Sequence, residues 1–194
     1  MKIVIDGLIG AGKSTQIELL SKHMKLDVYK EPIEEWPLES FYEDPSRWGF
    51  MMQMAVLNSY TNARFYDGIF ERCPESSKNV FWKNLVDTNT VTQQEDEIFQ
   101  RCFETYTWEP DVLIFIDKSP KLCYKHIQKR KQDGDAGVTV EYLEKLHAYY
   151  QDFIKNNTKN THVIDGTQSI SAVSKDIIKI IKPILANNKC SALI

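Results

Sequence analysis

A glycine-rich segment near the start of the chain has the residue types and the spacing that bind phosphate groups. It runs from Gly7 through Gly10, Ala11, Gly12, Lys13 and Ser14 to Thr15 and matches the pattern GxxxxGK[ST]. Glycines let the backbone curl so that successive N–H groups form a nest for anions. Lys13 can reach the β- and γ-phosphates of a nucleotide, and the Ser14 hydroxyl can occupy a Mg²⁺ ligand position. The segment therefore predicts a nucleoside triphosphate site.

Charged side chains also stand at or shortly after the ends of predicted strands. Five short apolar segments have the length and composition of buried parallel strands: Lys2–Asp6, Asp27–Lys30, Gly68–Glu71, Val112–Asp117 and His162–Asp165. In open parallel sheets ligands bind beyond the carboxyl ends of the strands. This position favours a functional role for the following residues: Lys13, Glu31, Glu71, Arg72 and Asp165.

Segments with helical spacing separate the strands. Apolar side chains share one helix face in two such segments, Ile17, Leu20 and Met24 in one and Tyr142, Leu146, Tyr149 and Phe153 in the other. Strands alternating with helices predict an α/β fold, here a P-loop NTPase fold with a five-stranded parallel sheet flanked by helices. The polar stretch 132–137 predicts a lid loop.

Composition limits the remaining possibilities. With 194 residues the chain fits a single domain 1–194, with a core over 1–186 and a flexible tail over 187–194. The net charge of −3 gives no basic excess for a nucleic-acid partner. The four cysteines are widely spaced, which favours neither a zinc site nor a disulfide scaffold. No apolar run approaches the roughly 20 residues that span a bilayer, so we expect a soluble, cytoplasmic protein with no membrane partner.

Four further motifs follow the glycine-rich segment in order. They are Glu31-Pro-Ile-Glu-Glu-Trp36, Tyr42-Glu-Asp-Pro-Ser-Arg-Trp-Gly-Phe-Met-Met-Gln53, Glu71-Arg72-Cys73 and Glu141-Tyr-Leu-Glu-Lys-Leu-His147. Together they resemble the deoxyribonucleoside kinase family, which includes the deoxycytidine, deoxyguanosine and mitochondrial thymidine kinases and the insect multisubstrate enzyme. The resemblance extends from Met1 to about Ala186. It implies transfer of the γ-phosphate of ATP to the 5′-hydroxyl of a deoxyribonucleoside, with Mg²⁺ and in a homodimer.

The resemblance also implies roles for single residues at the reacting groups. Glu31 resembles the catalytic carboxylate that accepts the proton of the 5′-hydroxyl. Arg72 would keep Glu31 ionised and neutralise charge on the transferred phosphoryl group. Glu71 resembles the family's carboxylate on the magnesium side, beside Ser14, and Lys13 would complete the catalytic set.

Other positions match the family's acceptor site. Gln53 resembles the glutamine that pairs with the base edge. Trp36, Met52 and Phe81 fall where apolar walls enclose the base. Tyr42 and Asp135 match the residues that bind the sugar 3′-hydroxyl.

Two segments resemble the parts of the family's site that close over ATP. The basic run 125–131, which contains Arg130, resembles the lid arginines. The paired lid arginines and acidic residues of the family are represented here by Arg130, Gln132, Gly134 and Asp135. The segment 162–170 resembles the loop that borders adenine, through Gln168, Ser169 and Ile170.

Two departures from the family bear on the base. The arginine and aspartate of members that prefer purines or deoxycytidine are replaced by Tyr60 and Ser77. Without that charged pair, a 5-methyl pyrimidine has space beside Val56. A polar mismatch in a desolvated pocket discriminates more strongly than one methylene, so we expect a preference for thymidine and deoxycytidine.

Two alternatives share the glycine-rich segment. A nucleoside monophosphate kinase such as a thymidylate kinase needs cations for the acceptor phosphate, whereas the segment after the second strand, 31–36, is acidic. A GTPase-like binding module recognises guanine with NKxD, and Asn188-Lys189-Cys190-Ser191 lacks the aspartate.

Overall fold

Five parallel strands form the centre of the molecule, in the order β2-β3-β1-β4-β5. The computed structural model describes residues 1–24, 26–130, 135, 137–157 and 160–191, with side chains described as far as 186. The strands are β1 (Lys2–Gly7), β2 (Val28–Tyr29), β3 (Gly68–Glu71), β4 (Val112–Asp117) and β5 (Thr161–Asp165). The prediction of an α/β fold with a five-stranded parallel sheet is thus confirmed.

The predicted bounds of β3 and β4 match the observed ones, and no end of the other three strands differs by more than one residue. β2 is the shortest strand and lies at one edge of the sheet, where it pairs with β3 through Val28 opposite Ile69 and Tyr29 opposite Phe70. β1 extends to Gly7, which pairs with Ile116 of β4.

Helices cover both faces of the sheet. They are α1 (Lys13–Met24), α2 (Leu38–Glu43), α3 (Pro45–Ala63), α4 (Pro74–Ser76), α5 (Lys83–Asp87), α6 (Gln93–Tyr106), α7 (Pro120–Arg130), α8 (Val140–Asn156) and α9 (Ile170–Ser191). A 3₁₀ turn, Ile33–Glu35, precedes α2, and a π-helical segment, Ser77–Trp82, joins α4 to α5. The predicted tail begins at 187, whereas α9 continues to Ser191.

Alternating side chains of β1 divide the core between the two faces. Ile3 and Ile5 pack on one side with α1 and α8, and Val4 packs on the other with Phe70 and with residues of α3. All three β1 residues are buried, as expected for a strand with helices on both sides. No helix in the described part of the chain combines the length and the apolar character needed to cross a membrane.

The loop between β1 and α1 packs directly against α7. Gly10 has a φ of +82°, and a Cβ atom there would lie 2.6 Å from the carbonyl oxygen of Cys123 and 2.9 Å from Cγ1 of Ile127. Gly12 also has a positive φ, +106°, but a Cβ atom there would meet no described heavy atom within 4 Å. Both positions favour glycine, and Gly10 also requires it for close approach.

The two glycines give a matched test of this packing. We expect Gly12→Ala to lower the free energy of unfolding by about 1–2 kcal/mol, the cost of a left-handed backbone for alanine. Gly10→Ala should cost about 1–3 kcal/mol more, because the added methyl group also overlaps backbone atoms of α7. Urea unfolding of the two variants and the wild type measures both values. Equal losses would contradict the close contact at Gly10.

Candidate active site

A cavity of about 760 Å³ opens at the carboxyl ends of β1, β2 and β3. Most of the predicted site residues line it. The predicted phosphate-side residues on its wall are Gly10, Gly12, Lys13, Ser14, Thr15, Glu71, Arg130 and Ile170. The predicted acceptor-side residues there are Glu31, Trp36, Tyr42, Met52, Gln53, Val56, Arg72, Ser77, Phe81 and Asp135.

Five predicted site residues do not line this cavity: Gly7, Ala11, Tyr60, Gln168 and Ser169. Tyr60 is buried, and its ring packs edge-on against Trp108 with ring centres 6.1 Å apart. Gln168 turns away to Asp176, to which its amide donates at 3.3 Å. The Ser169 hydroxyl lies 3.3 Å from that of Ser171.

Gly7 and Ala11 connect the phosphate loop to the end of β4. A Cβ atom on Gly7 would lie 2.7 Å from the carbonyl oxygen of Ile116, so glycine permits the contact with β4. The Ala11 carbonyl accepts a hydrogen bond from Lys118 Nζ at 3.0 Å. These contacts fix the loop to the end of β4, and from the other side His126 Nδ1 lies 3.1 Å from the Gly10 carbonyl.

Lys13 is the buried cation of this loop. Its side chain donates to the Leu8 carbonyl at 3.2 Å, which holds the ammonium group over the nest. Burial lowers the pKa of Lys13, and the nearby Arg72 acts in the same direction, whereas Glu71 and Glu31 oppose it. A buried ammonium group without a full set of partners binds an anion strongly.

Ser14 and Glu71 meet across the phosphate side of the cavity. The Ser14 hydroxyl donates to Glu71 Oε1 at 2.8 Å. A hydroxyl and a carboxylate are oxygen ligands of the kind that Mg²⁺ prefers, and Mg²⁺ usually takes few protein ligands beside substrate phosphates and water. The two side chains fit the predicted magnesium position.

Glu31 and Arg72 form an ion pair on the acceptor side. Arg72 Nε donates to Glu31 Oε1 at 2.7 Å, and the two side chains are 5% and 13% exposed. Burial raises the pKa of Glu31, while the charges of Arg72 and Lys13 act in the opposite direction. Arg72 keeps its charge, because Glu31, Tyr150 and Asp6 raise its pKa against the effect of burial. The result is a buried carboxylate with raised basicity next to a fixed positive charge.

An unusual backbone conformation directs Arg72 into the site. Its φ is +68°, in the left-handed region that non-glycine residues seldom adopt. Its backbone N–H donates to the Ile5 carbonyl at 3.1 Å, and its Nη1 donates to the Gly7 carbonyl at 3.2 Å and to Asp6 Oδ1 at 3.4 Å. Nη1 also contacts the Tyr150 hydroxyl. Strained residues of this kind persist where surrounding contacts hold them, often at active sites.

The wall expected to face the base contains a buried polar pair. The Ser77 hydroxyl donates to Gln53 Oε1 at 3.1 Å, and both residues are buried. This bond orients the glutamine so that its amide NH₂ group remains for another acceptor. Ser77 and Phe81 belong to the π-helical segment, a wide helical turn that is frequent at functional sites.

Arg130 and Asp135 pair at the mouth of the cavity. Arg130 Nε and Nη2 each donate to the Asp135 carboxylate at 2.7 Å, in a bidentate arrangement. Tyr42 lines the same region, and burial raises its pKa, so its hydroxyl stays neutral and can donate. Gln132 and Gly134 of the predicted lid lie outside the described residues.

Sequence reasoning missed several residues of this site. The cavity wall also includes Lys30, Ile33, Glu34, Leu38, Phe41, His126, Lys129 and Tyr142. Lys129 and His126 belong to the basic run 125–131, so the run itself was the available signal. Asp6 was also missed, although it stands at the end of the first predicted strand, where functional residues are expected. Its carboxylate accepts a hydrogen bond from the Arg72 side chain.

Comparison with known proteins identifies the family. The sequence profile described as "Deoxynucleoside kinase" matches residues 3–189, nearly the whole chain. The chain belongs to the deoxynucleoside kinase family. Its members transfer a phosphoryl group from ATP, so this kinase is an ATP-dependent phosphotransferase and shares their P-loop NTPase fold.

Relatives of this kinase are named for different nucleosides. It is 31% identical to a deoxyadenosine kinase of Dictyostelium discoideum, over 84% of this chain and 70% of that protein. It is 27% identical to deoxycytidine kinase 2 of Gallus gallus, over 81% of this chain and 75% of that protein. The solved deoxyadenosine kinase from M. mycoides with bound dCTP superposes with a TM-score of 0.85, at 28% identity, over 94% of this chain and 100% of that one.

The burial of Cys73 predicts that two cysteines of this kinase differ strongly in their reactivity toward thiol reagents. Burial raises the pKa of Cys73 to about 12, and Cys102 is half-buried. Since the thiolate is the reactive form, a thiol reagent at pH 8 should label Cys102 at least about 100-fold faster than Cys73. Mass spectrometry of a Cys190→Ser variant measures both rates. In urea the two should become similar, and equally fast labelling of the folded kinase would contradict the burial of Cys73.

Proposed function

We propose that this kinase transfers the γ-phosphate of ATP to the 5′-hydroxyl of a deoxyribonucleoside, with Glu31 as the catalytic base and a preference for pyrimidine nucleosides. The observation that carries the proposal is the buried Glu31–Arg72 pair, which lines the same cavity as the phosphate loop. A carboxylate on the acceptor side and a nest for phosphates on the other side suit phosphoryl transfer between two bound substrates.

In this mechanism Glu31 accepts the proton of the 5′-hydroxyl as the oxygen attacks the γ-phosphorus. A bond forms between that oxygen and phosphorus, the bond from phosphorus to the bridging oxygen of ADP breaks, and ADP leaves. Lys13 and Arg72 stabilise the charge on the transferred group. Such a transition state requires mainly alignment, so a positioned carboxylate is sufficient.

Ser14 and Glu71 are the residues that would hold Mg²⁺, since their oxygens are 2.8 Å apart. When bound, the ion neutralises charge on the phosphates of ATP. The kinase supplies the ligands on one side and leaves the others to phosphate and water, which is the usual arrangement for magnesium with nucleotides.

Charge around Glu31 favours an uncharged acceptor over a nucleoside monophosphate. The nearby cations, Arg72 and Lys13, already interact with Glu31 and with the neighbouring Glu71. An acceptor phosphate would place further negative charge beside these carboxylates, and like charges in a buried site repel strongly. A neutral 5′-hydroxyl avoids this cost.

The pyrimidine preference rests on the pocket wall around Gln53. Ser77 orients the glutamine without adding a charge, and Val56 supplies an apolar wall nearby. Tyr60 packs against Trp108 and is not part of the cavity wall, so Val56 is the side chain of the two that would face a base. A role in deoxynucleoside salvage and a homodimer are the remaining predictions from the family resemblance.

Replacing the base tests the mechanism. Glu31→Gln keeps the shape of the side chain but removes its basicity, so kcat should fall by about 10²- to 10⁴-fold. Binding of ATP, measured by calorimetry, should stay within about threefold, because the nucleotide sits on the phosphate loop. Glu35→Gln is the matched control, since Glu35 is an exposed carboxylate of the same segment and should behave as wild type. A Glu31→Gln variant with wild-type kcat would remove Glu31 from the mechanism.

The same role fixes the direction of the pH dependence. Glu31 must be ionised to accept a proton, and its pKa is raised above the ordinary value of 4.5 because it is buried. The kcat/KM for the nucleoside should therefore fall, as the pH is lowered, through an apparent pKa above 4.5. A profile that stays flat down to this value would contradict the role.

An assay of ADP release with each of the four common deoxyribonucleosides tests the substrate. Thymidine and deoxycytidine should show kcat/KM values at least about tenfold above those of deoxyadenosine and deoxyguanosine, because the wall around Gln53 lacks a charged partner for purines. Thymidine monophosphate is the control acceptor and should be inactive. If the monophosphate alone works, the chain is a nucleotide kinase. If purines lead, the pyrimidine preference is wrong.

A further inference from the structure

Tyr150, on the helix that follows the predicted lid, contacts two charged side chains next to the cavity, Arg72 and Asp6. Tyr150 lies on the buried face of α8 with Leu143 and Leu146, and it is fully buried. Its ring packs against Phe115 of β4, with ring centres 5.1 Å apart. It does not line the cavity, so it acts on the site through other residues.

The Tyr150 hydroxyl bridges two charged side chains. It donates to Asp6 Oδ1 at 2.8 Å and accepts from Arg72 Nη1. The same Asp6 oxygen accepts the backbone N–H of Gly7 at 2.7 Å, so it is anchored to the start of the phosphate loop. Burial raises the pKa of Tyr150 well above 10, and the hydroxyl therefore remains available as a donor.

Arg72 depends on such contacts for its orientation. Its backbone is in the left-handed region, and its guanidinium group must present Nε to Glu31 while it is buried. The group lies over the Phe81 ring at 4.6 Å, a contact that fixes its distance from the ring but not its rotation in the plane. The acceptors on the Nη1 side, which include the Tyr150 hydroxyl, determine that rotation.

We propose that Tyr150 is a positioning residue, whose hydroxyl holds the Arg72 guanidinium in the orientation that serves Glu31 and the transferred phosphoryl group. The proposal rests on the function proposed above. It assigns to α8 an effect on turnover that is transmitted through Arg72. Because Tyr150 does not line the cavity, its loss should lower kcat and leave the binding of both substrates nearly unchanged.

The test is Tyr150→Phe, which removes the hydroxyl and keeps the ring. We expect kcat to fall about 10- to 100-fold, because the Arg72 guanidinium would no longer be held in the orientation that stabilises the transition state. The KM values for ATP and nucleoside should change less than about threefold. Tyr149→Phe is the matched control. Its hydroxyl also donates to a carboxylate, Asp87 Oδ2 at 2.9 Å, but on the surface, and its kcat should remain that of the wild type.

A double-mutant cycle with Asp6→Asn tests whether the hydroxyl acts through the proposed bridge. If Tyr150 and Asp6 orient Arg72 together, the combined variant should lose much less activity than the product of the two single losses. All assays are made well below the thermal midpoint of each variant, measured by circular dichroism. Independent losses would overturn the bridge.

Three other results would overturn the proposal: a wild-type kcat in Tyr150→Phe with only a lower thermal midpoint, a raised KM with an unchanged kcat, or a Tyr150→Phe protein that does not fold. Failure of the proposed function is distinguishable, since it appears as a wild-type chain inactive on nucleosides or as a fully active Glu31→Gln. If Tyr150→Phe keeps the wild-type kcat while Glu31→Gln loses activity, only the role of Tyr150 is rejected.

Discussion

Five charged side chains are gathered at one edge of an apolar sheet, and the rest of the site depends on keeping them there. Asp6, Glu31 and Glu71 are negative and Lys13 and Arg72 are positive, and four of the five residues are less than 9% exposed. A buried charge is tolerated only when it is paired and hydrogen-bonded. Three negative and two positive charges therefore nearly balance before any substrate binds.

The backbone around this cluster is shaped to supply the remaining hydrogen bonds. Carbonyl oxygens of Leu8 and Gly7 accept from Lys13 and Arg72, so part of the positive charge is held by the main chain. Glycines in the loop permit its contacts with β4 and α7. The sheet thus provides rigidity, and the loops at its carboxyl edge provide dipoles that need little reorganisation when charge moves between substrates.

Much of this architecture was predictable from the sequence, for identifiable reasons. Each strand is a short apolar run, and the phosphate loop has a fixed spacing, so both could be located locally. Glu31 and Arg72 stand at strand ends, where parallel topology brings residues together. The Tyr150–Asp6 bond could not be found this way, because its partners are 144 positions apart. Tyr60 was expected in the cavity from the family resemblance. It does lie on the face of α3 that carries Gln53 and Val56, but its ring packs against Trp108, which lies 48 positions away and could not be placed from the sequence.

Arg72 carries a further consequence for how this chain can change over time. A left-handed backbone at a non-glycine residue lowers stability by roughly 1–2 kcal/mol, and the chain retains this cost where a guanidinium group is buried between Glu31 and Asp6. Glycine at this position would remove that backbone cost, but it would also leave Asp6 and Glu31 without their cation, a loss of about 3–5 kcal/mol. The ion pairs thus outweigh the backbone cost, so laboratory evolution toward a more heat-resistant protein has to gain its stability elsewhere in the chain.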